Sequence, residues 1–343
     1  MMKSYSSPAL YMQGQNILSQ DYDQITCLGH RAIILSNGIA VNVAAEPLCQ
    51  TLNTQNLVSE VVVISDHFND HELTNLTALI KERAADIVIA VGGGKVIDIS
   101  KIVAAKIDCQ LVIVPTLAST DAPTSRLSAT YNAQGHFENY IFFDRSPSLV
   151  MVDTDIIVNA PTRTLIAGIA DALATFVEYR AVKCAHGQNM FGDKATIAAG
   201  VLAEQATKTI FREAKLAIKA NSAHTVDQHF ENVVEAAAHS IANGLTQFVS
   251  PTIMHGEKVA FGLLGQLVLS QSSSVLYQKY LKFLRALGLP VCLKDLGLTR
   301  DRQTLYQIAQ EVLRPNETIH QMNLSLTAAD IVNTLLQIDS YAN

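Results

Sequence analysis

The first half of the chain alternates short apolar runs with stretches of helical periodicity, and this alternation constrains the fold more than any other feature. The apolar runs are rich in Val and Ile and are bounded by Gly, Pro, Asp or Ser. Strands buried on both faces of a parallel sheet have this composition, and the intervening helices form the crossovers between them. Five such runs occur by about residue 155: RAIILSNG, EVVVISD, AADIVIAVGGG, CQLVIVPT and SLVMVDT.

From about residue 159 the periodicity becomes that of helices. Stretches such as TLIAGIADALATFVEYRAV and KVAFGLLGQLVLSQ place apolar residues every three to four positions, with hardly any strand-like alternation. Pro161 suits the first turn of a helix and disfavours helix at Ala160. We therefore predict an α/β domain of the nucleotide-binding type with a mostly parallel sheet over residues 1–158 and an all-α domain over residues 159–343.

The composition indicates a globular protein that binds a small molecule. Hydrophobic residues make up 49% of the 343 residues and charged residues 16%, so the chain can bury a large core. The net charge of -6 and the lack of a dense Lys/Arg cluster argue against nucleic acid as a partner.

The cysteines and the apolar runs predict the compartment. Five scattered cysteines without a CxxC pair favour a reducing cytoplasm over a disulfide framework or a cysteine zinc site. The N-terminal stretch has no apolar segment of signal-peptide length, and no run reaches the roughly 18 residues that span a bilayer. We expect a cytoplasmic protein with no membrane partner.

A glycine-rich loop, Gly92-Gly93-Gly94-Lys95, follows a predicted strand and opens a helix. Glycine allows close approach to an anion, and the amides and dipole at a helix N-terminus attract phosphate. The loop matches neither the GxGxxG fingerprint nor the GxxxxGK[ST] phosphate loop. It is therefore either a pyrophosphate site or a tight turn without a ligand.

The next predicted strand ends in a hydroxyl-rich stretch, Pro115–Ser125. In doubly wound sheets ligands bind outside the carboxyl ends of strands, where this stretch and the glycine loop would be neighbours. Its hydroxyls either bind the phosphates, ribose or amide of a cofactor, or merely cap turns.

One carboxylate and two imidazoles in the helical half, Asp171, His239 and His255, are candidate ligands of a divalent metal. Such a set with open coordination positions is a common catalytic zinc site, and a buried Asp171 needs a partner. The alternative is an ordinary hydrogen-bonded role for each histidine, because spacing alone does not show that the three residues converge.

The segments AVGGGKVIDISK, PTLASTDAPTSRLSATY, AGIADALATFVEYRA, AAAHSIANGLT and HGEKVAFG together resemble the glycerol dehydrogenase branch of the iron-containing alcohol dehydrogenase superfamily, over nearly the whole chain. The resemblance implies an N-terminal NAD domain and a helical metal domain, a fold shared with dehydroquinate synthase. It implies that Asp121 faces the substrate hydroxyls and that Asp171, His239 and His255 hold the metal. The implied dinucleotide residues are Gly93, Gly94, Lys95, Asp98, Thr116, Ser119, Ser125, Leu127 and Tyr131.

The resemblance also implies the metal and the reaction. Iron-type relatives carry a fourth ligand, a histidine, four residues after the aspartate, and this chain has Thr175 there. Three ligands are similar to zinc-dependent glycerol dehydrogenases and leave a position for an alcohol oxygen. The implied reaction interconverts a small polyol and its hydroxyketone, glycerol and dihydroxyacetone by default, as a zinc-bound alkoxide transfers hydride to nicotinamide.

Three positions depart from the family pattern. Asn37 stands where NAD-specific members have an aspartate for the adenine ribose, so NADP becomes possible as well as NAD. A glycine-rich segment of roughly a dozen residues that relatives have before the first ligand histidine is missing before His239, which puts the substrate site and activity in question. Ala242 replaces a second histidine that is not a ligand.

Four alternatives remain open at this point. Glycerol-1-phosphate and hydroxycarboxylate dehydrogenases share the fold, although a phosphate substrate should need a basic cluster that the sequence does not reveal. A lyase resembling dehydroquinate synthase would have a glutamate followed by lysine in place of Asp171 and Ala172. A relative that binds metal and cofactor without turnover is the fourth. The apolar helical half favours self-association into a homo-oligomer.

Overall fold

The structure, a computed structural model, describes residues 2–20, 22–65, 70–131, 137–238, 252–315, 317–322 and 324–342. The chain divides into two compact units. The N-terminal unit comprises residues 6–165 and 216–238, and the C-terminal unit comprises residues 1–5, 166–215 and 239–343. The domain boundary placed after residue 158 stays a prediction.

The N-terminal unit contains a six-stranded sheet in which every neighbouring pair is parallel. The strand order is β1-β8-β5-β4-β2-β3, and β6 and β7 form a separate antiparallel pair. The strands are β1 Leu10–Gly14, β2 Arg31–Ser36, β3 Val58–Val63, β4 Ile87–Gly92, β5 Gln110–Pro115, β6 Leu127–Tyr131, β7 Phe137–Phe142 and β8 Leu149–Asp153.

Helices connect the strands and make up most of the rest of the described chain. In the N-terminal half they are α1 Ile17–Gln20, α2 Asp23–Thr26, α3 Glu46–Thr54, α4 Asp70–Glu82, α5 Gly94–Ile107 and α6 Thr154–Ile157. A π-helical turn spans Val41–Ala45 and a 3-10 turn spans Ala122–Thr124. The later helices are α7 Thr162–Cys184, α8 Ile197–Ser222, α9 Gln228–Ala238, α10 His255–Leu269, α11 Ser274–Ala286, α12 Arg302–Val312 and α13 Ala328–Ala342, with 3-10 turns at Leu293–Leu296 and Thr318–Met322.

The five apolar runs of the first half form β2, β3, β4, β5 and β8, as the sequence predicts. All residues of β4 and β8 are buried, because helices cover both faces of a parallel sheet. The core of this unit contains side chains from several strands, including Ile34, Ile89, Val112 and Met151. β1 and the β6–β7 pair were not predicted from the sequence, because they lack long apolar runs.

The described residues of the C-terminal unit form helices joined by turns and loops, with one isolated bridge between Lys3 and Lys194. Within this unit α10 packs against α11 and α13, and α12 packs against α13. A search of the described helices finds none that is long and apolar enough to cross a membrane.

Candidate active site

The glycine loop joins the buried strand β4 to α5 at the carboxyl edge of the sheet. A Cβ at Gly92 would lie 2.9 Å from Val96 Cγ2, so the turn is tight from its first residue. The N-cap of α5 is Gly93, which has no side chain to accept a hydrogen bond from the first-turn N–H groups. These N–H groups and the positive end of the helix dipole suit a phosphate.

The hydroxyl-rich stretch lies beside the glycine loop, as the strand order requires. Gly92 pairs with Pro115, and the backbone N–H of Thr116 donates a hydrogen bond to Gly92 O at 3.1 Å. A Cβ on Gly93 would lie 3.2 Å from Leu117 Cδ1, and one on Gly94 would lie 3.4 Å from Thr120 Cγ2. The backbones of the two loops therefore converge on one place at the sheet edge.

The other residues predicted to bind the dinucleotide differ in their exposure. Asn37 directly follows β2, whose last residue pairs with Val91 of β4. Thr116 and Asp121 are buried, while Lys95 is exposed and Asp98, Ser119, Ser125 and Leu127 are half-buried. Tyr131 ends β6, and its side chain lies outside the described residues.

Lys101, in the middle of α5, is a residue of this site that the sequence reasoning missed. Its side chain is buried, and its ammonium donates hydrogen bonds to Ala122 O at 2.6 Å, Ser125 Oγ at 2.9 Å and Leu127 O at 2.8 Å. Burial lowers the pKa of Lys101 to about 8, against the opposing effect of the Asp98 and Asp121 carboxylates. The signal was present, since a lysine within the apolar run ISKIVAA must find partners when buried.

Two of the three predicted metal ligands meet in the C-terminal unit. Asp171 lies in α7 with 1% of its side chain exposed, among the fully buried apolar residues that precede and follow it. His255 is the first residue of α10, and its side chain is 35% exposed. His255 Nε2 lies 3.3 Å from Asp171 Oδ1.

A close approach of two helices brings this pair together. A Cβ on Gly256 would lie 1.9 Å from the backbone oxygen of Ala167, which is one helical turn before Asp171. Only glycine allows α10 to begin so near α7. Glu257 then caps the start of α10, because its Oε2 accepts a hydrogen bond from Met254 N at 2.8 Å.

The donor atoms and their spacing fit a divalent metal. Two ligands of a tetrahedral zinc with bonds of about 2.0–2.1 Å lie roughly 3.3–3.4 Å apart. A direct charge-assisted N–H···O bond between the same groups would be shorter, about 2.7–2.9 Å. The observed 3.3 Å between Nε2 and Oδ1 matches the first distance, and the oxygen and nitrogen donors suit zinc.

The structure says less about the other positions considered for the metal site. His239 and Ala242 fall in residues 239–251, which lie outside the described chain. In the described ranges no three His, Cys, Asp or Glu side chains cluster as a metal site. Thr175 is buried and donates its hydroxyl hydrogen to Ala172 O at 2.6 Å, so the position of the fourth ligand in iron-type relatives is occupied by a hydroxyl bonded to the helix backbone.

Comparison with known proteins identifies the family. The family model described as iron-containing alcohol dehydrogenase matches residues 8–154. The chain is 34% identical over 356 aligned positions to a glycerol dehydrogenase from Pseudomonas putida, covering 99% of this chain and 98% of that protein. It belongs to the iron-containing alcohol dehydrogenase family.

A second sequence relative and a solved structure are also similar to this iron-containing alcohol dehydrogenase over nearly its whole length. A glycolaldehyde reductase from Halobacterium salinarum is also 34% identical, with 99% of this chain and 98% of that protein covered. The crystal structure of glycerol dehydrogenase from Schizosaccharomyces pombe superposes with a TM-score of 0.90 at 30% identity, covering 99% of this chain and 91% of that one. The predicted glycerol dehydrogenase branch, fold class and alcohol dehydrogenase type of enzyme are confirmed.

Proposed function

We propose that this chain is a zinc-dependent NAD(P) oxidoreductase that interconverts a small polyol and its hydroxyketone, with glycerol and dihydroxyacetone as the default pair. The observation that carries the proposal is the 3.3 Å spacing between Asp171 Oδ1 and His255 Nε2 in a chain of this family. His239 is proposed as the third ligand.

In this proposal the C-terminal unit binds the metal and the N-terminal unit binds the dinucleotide. In the C-terminal unit Asp171 and His255 offer an oxygen and a nitrogen donor to the metal, and the apolar surroundings of Asp171 keep water from competing for that oxygen. In the N-terminal unit the first turn of α5 binds the pyrophosphate and Asn37 binds the adenine ribose. When bound, zinc supplies the Lewis acidity that lowers the pKa of a substrate hydroxyl, and the dinucleotide accepts hydride.

Two residues of the hydroxyl-rich stretch orient the reactants in this proposal. Asp121 is buried and stands at the start of the 3-10 turn Ala122–Thr124, where its carbonyl oxygen accepts a hydrogen bond from Thr124 N at 3.2 Å. With its backbone fixed, the carboxylate can accept hydrogen bonds from substrate hydroxyls. Ser125 carries a hydroxyl that can donate to the dinucleotide.

The test is a metal analysis combined with a substrate panel. The full chain is purified without added metal, its zinc and iron contents are measured, and reduced-cofactor absorbance is followed with NAD and NADP. The panel contains glycerol, dihydroxyacetone, glycolaldehyde, glycerol 1-phosphate and a hydroxycarboxylate. We expect about one zinc per chain and the highest kcat/KM on the uncharged polyol or hydroxyketone. Absence of stoichiometric metal together with no turnover of any panel compound contradicts the proposal.

Reduction of a hydroxyaldehyde is the second candidate. It is favoured by the glycolaldehyde reductase of H. salinarum, which is as similar to this chain as the P. putida glycerol dehydrogenase is. A kcat/KM for glycolaldehyde that exceeds the value for dihydroxyacetone supports this candidate. Tight binding of zinc and dinucleotide without turnover instead indicates a non-catalytic relative.

A further inference from the structure

All three N–H donors of the Lys101 ammonium form hydrogen bonds to one short segment. An ammonium has three N–H donors and no acceptor. Each donor reaches an oxygen between residues 122 and 127: Ala122 O at 2.6 Å, Ser125 Oγ at 2.9 Å and Leu127 O at 2.8 Å. The side chain is 2% exposed, so this arrangement is built into the interior of the N-terminal unit.

A second hydrogen bond ties the same segment to α5. Ser128 is fully buried, and its hydroxyl donates to Asp98 O at 3.0 Å, one turn before Lys101 on that helix. The N-terminus of α5 is the glycine loop. One helix therefore presents the N–H groups that suit a phosphate and also holds the segment that carries Asp121, Ser125 and Leu127.

The contact with Lys101 also sets the direction of the Ser125 hydroxyl. Because Ser125 Oγ accepts a hydrogen bond from the ammonium, its own O–H must point elsewhere. Its protein acceptors are Ala122 O at 3.3 Å and Leu127 O at 3.5 Å, both long for a hydroxyl donor. The O–H is thus suited to donate to an oxygen of a bound molecule.

We propose that Lys101 is a positioning residue for the dinucleotide: its ammonium holds residues 121–127 in the conformation in which Asp121, Ser125 and Leu127 line the cofactor and substrate site. The inference rests on the proposed function, since it assumes that the cofactor lies against this segment.

The ionisation of Lys101 gives the inference a pH signature. Burial lowers its pKa to about 8, and Asp98 on its own helix and Asp121 on the loop are the charged groups that oppose this shift among the described residues. Below that pH all three acceptors are satisfied, whereas a neutral amine has only two N–H donors. If binding requires the ammonium, the Kd of the dinucleotide rises by up to about tenfold per pH unit above pH 8.

Stability changes in the opposite direction with pH. The folded pKa of about 8 lies below the value of about 10.4 for an unperturbed lysine, so the unfolded chain binds more protons between these limits. The contribution of Lys101 to the free energy of unfolding therefore rises with pH while dinucleotide binding weakens. A purely structural lysine would not produce this opposition.

The experiment compares two lysine-to-methionine variants of α5 in the full-length, zinc-loaded protein. Lys101→Met removes the donors and keeps the length of the side chain, and Lys106→Met makes the same change at an exposed position of the last turn. The Kd of NADH and NADPH is measured by fluorescence titration from pH 7.5 to 9.5, together with zinc content. We expect Lys101→Met to raise Kd at least tenfold at pH 7.5, to abolish its pH dependence and to keep zinc, while Lys106→Met matches the wild type.

Two results overturn the inference while the proposed function stands: a wild-type Kd that is flat over this pH range, or a Lys101→Met protein that binds like the wild type. The pH series on the wild type decides the matter even if Lys101→Met fails to fold. A wild type that binds neither dinucleotide and has no turnover overturns the proposed function, and the inference with it.

Discussion

Replacing Gly256 by alanine tests whether the close approach of α10 to α7 positions the metal ligands. The new Cβ would lie 1.9 Å from Ala167 O, whereas real Cβ atoms essentially never come within 3.0 Å of a neighbour. Both Ala167 O and the Gly256 Cα belong to helix backbones, so no side-chain rotation relieves the clash. The start of α10 must therefore move by at least 1.1 Å, the difference between these two distances.

That displacement is large relative to what a shared metal tolerates. Along the line between the donors it would widen the separation of Asp171 Oδ1 and His255 Nε2 from 3.3 Å to about 4.4 Å. Two donors with bonds of about 2.1 Å cannot be more than about 4.2 Å apart on one zinc. We therefore expect zinc affinity to fall by about 10–100-fold, the usual loss when the groups that orient metal ligands are disturbed.

We expect Gly256→Ala to change the free energy of unfolding only modestly, and a matched glycine in the same helix serves as the control. Overpacking costs about 1–3 kcal/mol, and replacing glycine in a helix returns about 0.5–1 kcal/mol. Gly265 lies in the same helix, and a Cβ there would meet Ile338 Cδ1 at 3.4 Å and Thr334 Cγ2 at 3.9 Å, which are ordinary contacts. Gly265→Ala should therefore be neutral or slightly stabilising and should keep zinc.

The assay is competitive zinc titration with a chromophoric chelator, followed by kcat/KM on the best panel substrate and by denaturant unfolding. Gly256→Ala should lose zinc affinity and kcat/KM together, and Gly265→Ala should lose neither. A Gly256→Ala protein that binds zinc and turns over within twofold of the wild type, with an unchanged free energy of unfolding, would show that glycine is not needed at this position.

Three further substitutions address other parts of the site. Asp171→Asn should remove the negatively charged donor, so that zinc no longer copurifies and kcat falls by about 10³-fold; retained zinc in elemental analysis contradicts this. Asn37→Asp places a negative charge near the adenine ribose and should lower the kcat/KM for NADP relative to NAD by at least about tenfold, and an unchanged ratio contradicts its placement. Glu257→Ala removes the cap of α10 and should cost about 1 kcal/mol in denaturant unfolding, with a smaller loss of zinc affinity than Gly256→Ala.

The parallel sheet could be predicted because burial on both faces leaves a strong mark on a sequence. Val88 and Val112 lie in runs whose every residue suits a strand interior, and helical periodicity separates those runs. Leu10–Gly14 carries no such mark, because it contains no Val or Ile and its last two residues are Gln13 and Gly14. The β6–β7 pair is likewise set by its pairing, including an irregularity after Thr130, rather than by a continuous apolar run.

The residue types of the site could be predicted more readily than the contacts that hold them. Asp171 and His255 are conspicuous in their apolar surroundings, and in the structure His255 Nε2 lies 3.3 Å from Asp171 Oδ1. The need for glycine at position 256 depends on Ala167, which is 89 residues earlier in the chain and unremarkable in sequence. Lys101 likewise gains its role only from backbone oxygens more than 20 residues away.

The glycines of the two helix starts are there for different physical reasons. At α10 an added Cβ would overlap the backbone of another helix, so Gly256 is needed for packing whether or not a ligand binds. At α5 a Cβ on Gly94 would meet only Thr120 Cγ2 at 3.4 Å, an ordinary contact, and one on Gly93 would meet only the movable end of Leu117 at 3.2 Å. Packing within the described chain therefore does not require glycine at position 94. In the proposed function the N–H groups of this loop bind a pyrophosphate, and glycine at position 94 would let that ligand approach the backbone closely.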